Sequence, residues 1–217
     1  MIEHIIFDCD GVLIDTEIVA AEVVVSWLLT EKVNITVNQF IREHTGKTFT
    51  GIINELKASG QLSSQLDTHS TMLQLEGQIR ATMRPIDGVQ TMLEQLPLPK
   101  SVVSNSFVDY VQEALKKFSI DQHFNPTIFS SELVEKAKPS PMVYQLALDT
   151  ISLTADKVVA IEDSYTGVQA ATAAGIPTIG FLGGSHILEG HAERLKSLGV
   201  IGLAKDHQEL ARMLLRL

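Results

Sequence analysis

The stretch His4-Ile5-Ile6-Phe7-Asp8-Cys9-Asp10-Gly11-Val12 decides how this chain is read. A short β-branched and aromatic run stops at two carboxylates separated by one residue, and a glycine follows. Continuous rather than alternating apolarity in a short strand points to burial on both faces, the habit of parallel sheets covered by helices. Ligand chemistry in such sheets collects at the carboxyl ends of the strands, where Asp8 and Asp10 stand. In extended backbone, residues i and i+2 point to the same side, so both acids can approach one reacting group while Gly11 lets the chain turn. Read alone, the pair could equally be two acids in a solvated turn.

Outward from this stretch, related runs recur at Ser101-Val102-Val103-Ser104-Asn105, at Lys157 through Asp163 and at Ile176 through Phe181, with a weaker one near residues 126–131. Most lead into helical periodicity. Strands separated by helices need crossover connections, so the expected fold is α/β, a Rossmann-like parallel sheet with helices on both faces and an inserted α-helical cap domain. The insertion is read from a break in the pattern: between about residues 15 and 82 three or four helical stretches follow one another with no convincing strand. Thr16 can cap the first, with Val19, Val23 and Leu28 on one side. Thr48 can cap another before the turn at Gly60, and Pro85 and Gly88 return the chain to the sheet. The expected organisation is a core of residues 1–14 and 83–217 around a helical cap of residues 15–82. No internal repeat or low-complexity tract suggests a solenoid or coiled coil.

Seventeen Lys and Arg against 26 Asp and Glu leave a formal charge of −9, a field that disfavours nucleic-acid phosphates and anionic membrane surfaces as partners. The one cysteine, Cys9, can build neither a disulfide framework nor a thiolate metal site. The N-terminus interrupts its apolar run with Asp8 and Asp10 and lacks the basic flank of a secretion signal, so a cytoplasmic location is expected. Residues 164–188 carry no Asp, Glu, Lys or Arg and are long enough to cross a bilayer. Gly175, Pro177, Gly180, Gly183 and Gly184 instead divide them into a short helix, a turn, a strand and a loop.

A second acidic pair, Glu162-Asp163, closes the run Val158-Val159-Ala160-Ile161. If the strands lie side by side, four carboxylates meet, a costly arrangement without a cation, and oxygen donors favour Mg²⁺ over zinc or copper. Asp163 and Ser164 could instead merely cap the helix that follows. Ser104-Asn105-Ser106 ends another strand with hydroxyl and amide donors, and Lys138 lies in Lys136-Ala137-Lys138-Pro139-Ser140-Pro141. Singly these read as a polar turn and a surface charge. Together they supply the donors and fixed cation that the nonbridging oxygens of a phosphoryl group require.

Taken in order, Asp8-Cys9-Asp10-Gly11-Val12, Ser104, Lys138 and Glu162-Asp163 resemble the four motifs of the haloacid dehalogenase superfamily of aspartate-nucleophile phosphotransferases, over nearly the whole chain. Residues 10–17, DGVLIDTE, and 162–175, EDSYTGVQAATAAG, are similar to its β-phosphoglucomutase-like branch, whose helical cap lies between the first two motifs. The resemblance implies that Asp8 attacks phosphorus to form an aspartyl-phosphate, while Asp10 protonates the leaving oxygen and later deprotonates water. It implies Mg²⁺ held by the Asp8 carboxylate, the Asp10 carbonyl and Asp163, with Glu162 acting directly or through water. Ser104 and the backbone around Asn105 would grip phosphate oxygens, and Lys138 would bridge phosphate and nucleophile. The implied activity is hydrolysis of a small phosphorylated metabolite, a sugar or sugar-acid phosphate, by a monomer or weak homo-oligomer. Glu17, His44, Gly46 and Lys47 are candidate substrate contacts from the hinge and cap, although each could simply be solvent-exposed.

Ala137 stands where many relatives have Gly, and Met142 follows Pro141 in place of the usual pattern. Alternatives are weighed by the same residues. Ala20 and Lys47-Thr48-Phe49 occupy the places of the His and Arg expected of a mutase. Asp10 has no use in dehalogenation, whose halide leaves unprotonated, and a phospho-receiver needs neither Asp10 nor a helical insertion. His44 through Thr48 looks like the end of a phosphate-binding loop, but Ile41 stands where its first Gly belongs. His186 and His191 lie five apart without a third ligand and are expected to be solvated.

Overall fold

The computed structural model describes residues 1–44, 49–124 and 128–217. The chain divides into two compact units, residues 1–15 with 85–217, and residues 16–84.

The first unit is built on a parallel sheet of β1 (His4–Phe7), β2 (Lys100–Ser104), β3 (Ile128–Ser130), β4 (Val158–Glu162), β5 (Thr178–Phe181) and β6 (Gly202–Ala204), in the order β3-β2-β1-β4-β5-β6. β1, β2, β4 and β5 are buried along their whole length, around apolar centres such as Ile5-Ile6-Phe7, Val102-Val103 and Val158 through Ile161. β6 is absent from the sequence reading because Gly202-Leu203-Ala204 carries no β-branched or aromatic residue; it pairs in parallel with β5. The strand order reverses at β1, so β1 and β4 flank the point where an open sheet splays its connections apart and leaves a crevice. Phe7 aligns with Val102 on one side and Ile161 on the other, which sets Asp8, Ser104 and Glu162 at the same end of three adjacent strands.

The second unit holds α1 (Thr16–Thr30), α2 (Val37–His44), α3 (Phe49–Ala58) and α4 (Thr68–Thr82) around its own core of Ile18, Val19, Val24, Leu28, Phe40, Ile53, Leu56 and Leu75. Thr16 is already the first helical residue of α1 rather than its cap. The helix is buried more widely than one stripe, at Ile18, Val19, Ala21, Val24, Val25 and Leu28, because it packs against both α2 and α4. Thr48 lies outside the described residues. Gly60 takes a left-handed φ of 73° just beyond α3, and Asp67 caps α4 by accepting from the N–H groups of His69 and Ser70.

The remaining helices, α5 (Val89–Gln95), α6 (Val108–Lys117), α7 (Met142–Ile151), α8 (Tyr165–Ala173), α9 (His191–Lys196) and α10 (His207–Leu214), belong to the sheet unit. Tyr144 and Ala147 of α7 and Ala170 and Ala171 of α8 pack on Ile6, Val103, Phe129 and Ala160. Ile5, Phe7 and Ile161 point the other way and are equally buried, so both faces are covered. The uncharged stretch after Asp163 resolves into α8, a left-handed Gly175, β5 and a loop; among the described residues no helix is long and apolar enough to cross a membrane. Ile14 forms an antiparallel bridge with Pro85, and the N–H of Ile86 donates to the Leu13 carbonyl at 3.0 Å. The chain therefore leaves and rejoins the sheet unit at adjacent points.

Candidate active site

Asp8 stands one residue beyond β1, anchored by its N–H to the Ile161 carbonyl at 2.9 Å. Its Oδ1 accepts from Lys138 Nζ at 2.8 Å, and the same ammonium donates to Glu162 Oε1 at 2.6 Å and the Val103 carbonyl at 2.8 Å. Three donors thus meet three acceptors. Asp8, Lys138, Glu162 and Asp163 are at most 7% exposed. The sequence departure at Ala137 leaves Lys138 in reach because Asn105 clamps its backbone. Asn105 Oδ1 accepts from the Lys138 N–H at 2.9 Å, and Nδ2 donates to the Lys138 carbonyl at 3.2 Å.

Asp10 faces a different set of partners. Its Oδ2 accepts from Ser106 Oγ at 2.7 Å and Ser104 Oγ at 3.3 Å, while Ser104 Oγ also accepts from the Ser106 N–H at 3.0 Å. The two acids of the first motif therefore sit in distinct environments, one against an ammonium and one against hydroxyls.

The electrostatics are unbalanced. Burial pushes the Asp8 carboxyl up to about 8, with the Glu162 and Asp10 charges adding to the shift and Lys138 opposing it. Burial likewise raises Glu162 despite Lys138. Burial works to lower the Lys138 ammonium, but the Asp8 and Glu162 carboxylates outweigh it and the net shift is upward. One fixed cation is shared among more acid than it can neutralise.

A family model for haloacid dehalogenase-like hydrolases matches residues 5–181. The chain belongs to that family. A haloacid dehalogenase-like protein of unknown function from Agrobacterium tumefaciens strain C58 is 30% identical and superposes with a TM-score of 0.87 over 100% of this chain and 99% of its own. The 6-phosphogluconate phosphatase of Escherichia coli strain K12 is 22% identical over 187 residues, 85% of either chain. The phosphorylated carbohydrates phosphatase of Thermotoga maritima is 25% identical over 226 residues, 96% of either chain.

In this haloacid dehalogenase-like chain, Asp8, Glu162 and Asp163 each offer an oxygen, all within 4.8 Å of one another. An all-carboxylate donor set in which burial first, and then the Glu162 charge, raises Asp8 fits a hard divalent cation such as Mg²⁺. The Asp10 carboxylate is not part of that cluster. Glu162 enters it already committed: Oε1 accepts from Lys138 and from the Tyr144 hydroxyl at 2.5 Å. A Cβ at Gly167 would overlap its carboxylate. The expected phosphate contact of Asn105 is through its backbone; its side-chain amide is spent on Lys138. Glu17 is exposed in the first turn of α1, and His44 ends α2 beside the Phe40 ring; both belong to the helical unit. Gly46 and Lys47 lie outside the described residues.

The expectation that His186 and His191 are solvated is corrected. His186 Nε2 lies 3.0 Å from Asp163 Oδ2, and His191 Nε2 donates to the Asp163 carbonyl at 2.5 Å. Sequence reading also missed Tyr144, which sits at an apolar-looking position of α7 and is fully buried. Its only signal is a phenol amid aliphatic neighbours, since a buried Tyr hydroxyl seeks a partner.

Proposed function

We propose that the protein is a phosphomonoester phosphatase acting on a small phosphorylated metabolite, a sugar or sugar-acid phosphate, through a phosphorylated Asp8. The observation that carries this reading is the pair of environments at the end of β1. Asp8 is held against Lys138, while Asp10 sits among the Ser104 and Ser106 hydroxyls, which can follow a change in its protonation. Asp8 would form the bond to phosphorus as the ester bond breaks, and Asp10 would give its proton to the leaving oxygen. In the second displacement Asp10 would take a proton from the water that attacks the phosphorylated Asp8, so one group serves as acid and then as base. Lys138 would stay against Asp8 and face the transferred group, adding fixed positive charge where negative charge accumulates.

Mg²⁺ held by the Asp8 carboxylate, the Asp10 carbonyl and Asp163, with Glu162 directly or through water, would supply charge that offsets repulsion between Asp8 and phosphate. The substrate class is supported by the two phosphatases named above. Selection among such esters is assigned to the helical unit read as a cap, with Glu17 and His44 as its described candidates. The test is inorganic phosphate release across a panel of phosphorylated sugars and sugar acids. Asp8→Asn is expected to abolish release while keeping a cooperative urea transition, and chelation to remove activity that added MgCl₂ restores. Full turnover in Asp8→Asn, or isomerised ester in place of free phosphate, would overturn the assignment.

A further inference from the structure

The segment running from the loop after β5 into the first residue of α9 is tied to residues beyond the ends of β1 and β4 at three places. The Ser185 N–H and hydroxyl donate to Asp15 Oδ1 and Oδ2 at 3.0 and 2.5 Å, His186 reaches the Asp163 carboxylate, and His191 holds the Asp163 carbonyl. Asp163 is thereby gripped by an imidazole at each end, side chain and backbone. The two rings meet edge to face, with centroids 6.3 Å apart.

The His186 ring occupies a slot that exists only because two flanking residues lack side chains. A Cβ on Gly184 would lie 2.7 Å from its Cε1 and 2.8 Å from its Nδ1. A Cβ on Gly11 would lie 3.0 Å from Cε1 and would overlap Asp163 Oδ2 itself. Gly11 has a further reason to be glycine in its left-handed φ of 79°; Gly184 has no such φ, though a Cβ there would also come within 3.1 Å of the Gly11 carbonyl oxygen. The carbonyl of Asp163 can only accept, so His191 presents an N–H there; the carboxylate of Asp163 likewise calls for an N–H from His186 Nε2.

We propose that His186 and His191 are positioning residues for the divalent-ion site, fixing the carboxylate and backbone of Asp163 so that one oxygen stays turned toward Asp8 and Glu162. This rests on the reading of Asp163 as a metal ligand. A carboxylate at a strand end rotates freely about its side-chain bonds, and a donor on one oxygen selects the rotamer that leaves the other for a cation. Partners of this kind, one layer behind the ligands, orient them and are worth ~10–100-fold in metal affinity.

The experiment is calorimetric titration of MgCl₂ into substrate-free, full-length protein, beside urea unfolding of the metal-free protein. His186→Ala is expected to weaken Mg²⁺ binding by ~10-fold or more with little change in the metal-free urea midpoint. His186→Gln, whose amide places a donor near the Nε2 position, is expected to return most of the affinity, and Gly184→Ala to weaken binding by crowding the ring. His186→Ala binding as tightly as wild type overturns the inference alone. His186→Gln as weak as His186→Ala, with both destabilised, overturns it in favour of a packing role. Wild type that takes up no Mg²⁺ overturns both the inference and the divalent-ion reading beneath it.

Discussion

Gly167 lies in the first turn of α8, directly above Glu162. In an exposed helix, Gly→Ala is worth ~1 kcal/mol in favour of folding. Here the added methyl would meet a fully buried carboxylate already bonded to Lys138 and Tyr144. Overpacking of that kind costs ~1–3 kcal/mol, so Gly167→Ala is expected to lower the urea midpoint, and a raised midpoint would show that Glu162 can move aside. At this scale the sequence was informative where residue type and position coincide. Asp8, Asp10 and Asp163 announce themselves as acids at the ends of apolar runs, and Lys138 as a cation between turns. Tyr144, His186 and His191 do not, because a helix face and a loop acquire their partners only when distant strands are laid side by side.

The strands are legible for a simple reason: His4 through Phe7 and Val158 through Ile161 are β-branched or aromatic and buried on both faces, so their composition is itself the signal. β6 escapes because it carries no β-branched or aromatic residue. The elements also carry a pH dependence at the end of the sheet remote from Asp8. His4, the first residue of β1, bonds Ser101 of β2 at 2.8 Å. Burial, with the nearby Lys100 charge, lowers its imidazole from 6.5 to about 4. As pH falls below 6.5 the unfolded chain takes up this proton before the folded one. Stability present above 6.5 is therefore lost as pH drops toward 4. The loss in urea midpoint between about pH 7 and about pH 5 is expected to shrink in His4→Gln. An unchanged loss would place the dependence on other groups.

At the scale of the whole molecule, each unit has its own apolar core, and the helical one was visible as a run of helices without a strand. His207 shows how the sheet unit holds together beyond its strands. One ring nitrogen faces the Asp87 carbonyl at 2.9 Å, the other the Val12 carbonyl at 2.8 Å, and the ring stacks on Phe181. These contacts lie inside residues 1–15 and 85–217, so deleting residues 16–84 and joining Asp15 to Pro85 through a short glycine linker is expected to leave a cooperatively folding protein. Far-UV circular dichroism with urea unfolding checks this; a broad, non-cooperative transition would refute it. The bridge between Ile14 and Pro85 that makes such surgery conceivable also acts as a socket. Closing a loop grows costlier by only ~0.6 kcal/mol for each doubling of its length, so segments of quite different size can be plugged in there at similar expense. On the proposed function, selectivity could then be rewritten by exchange at one junction while Asp8 and Asp10 are left alone.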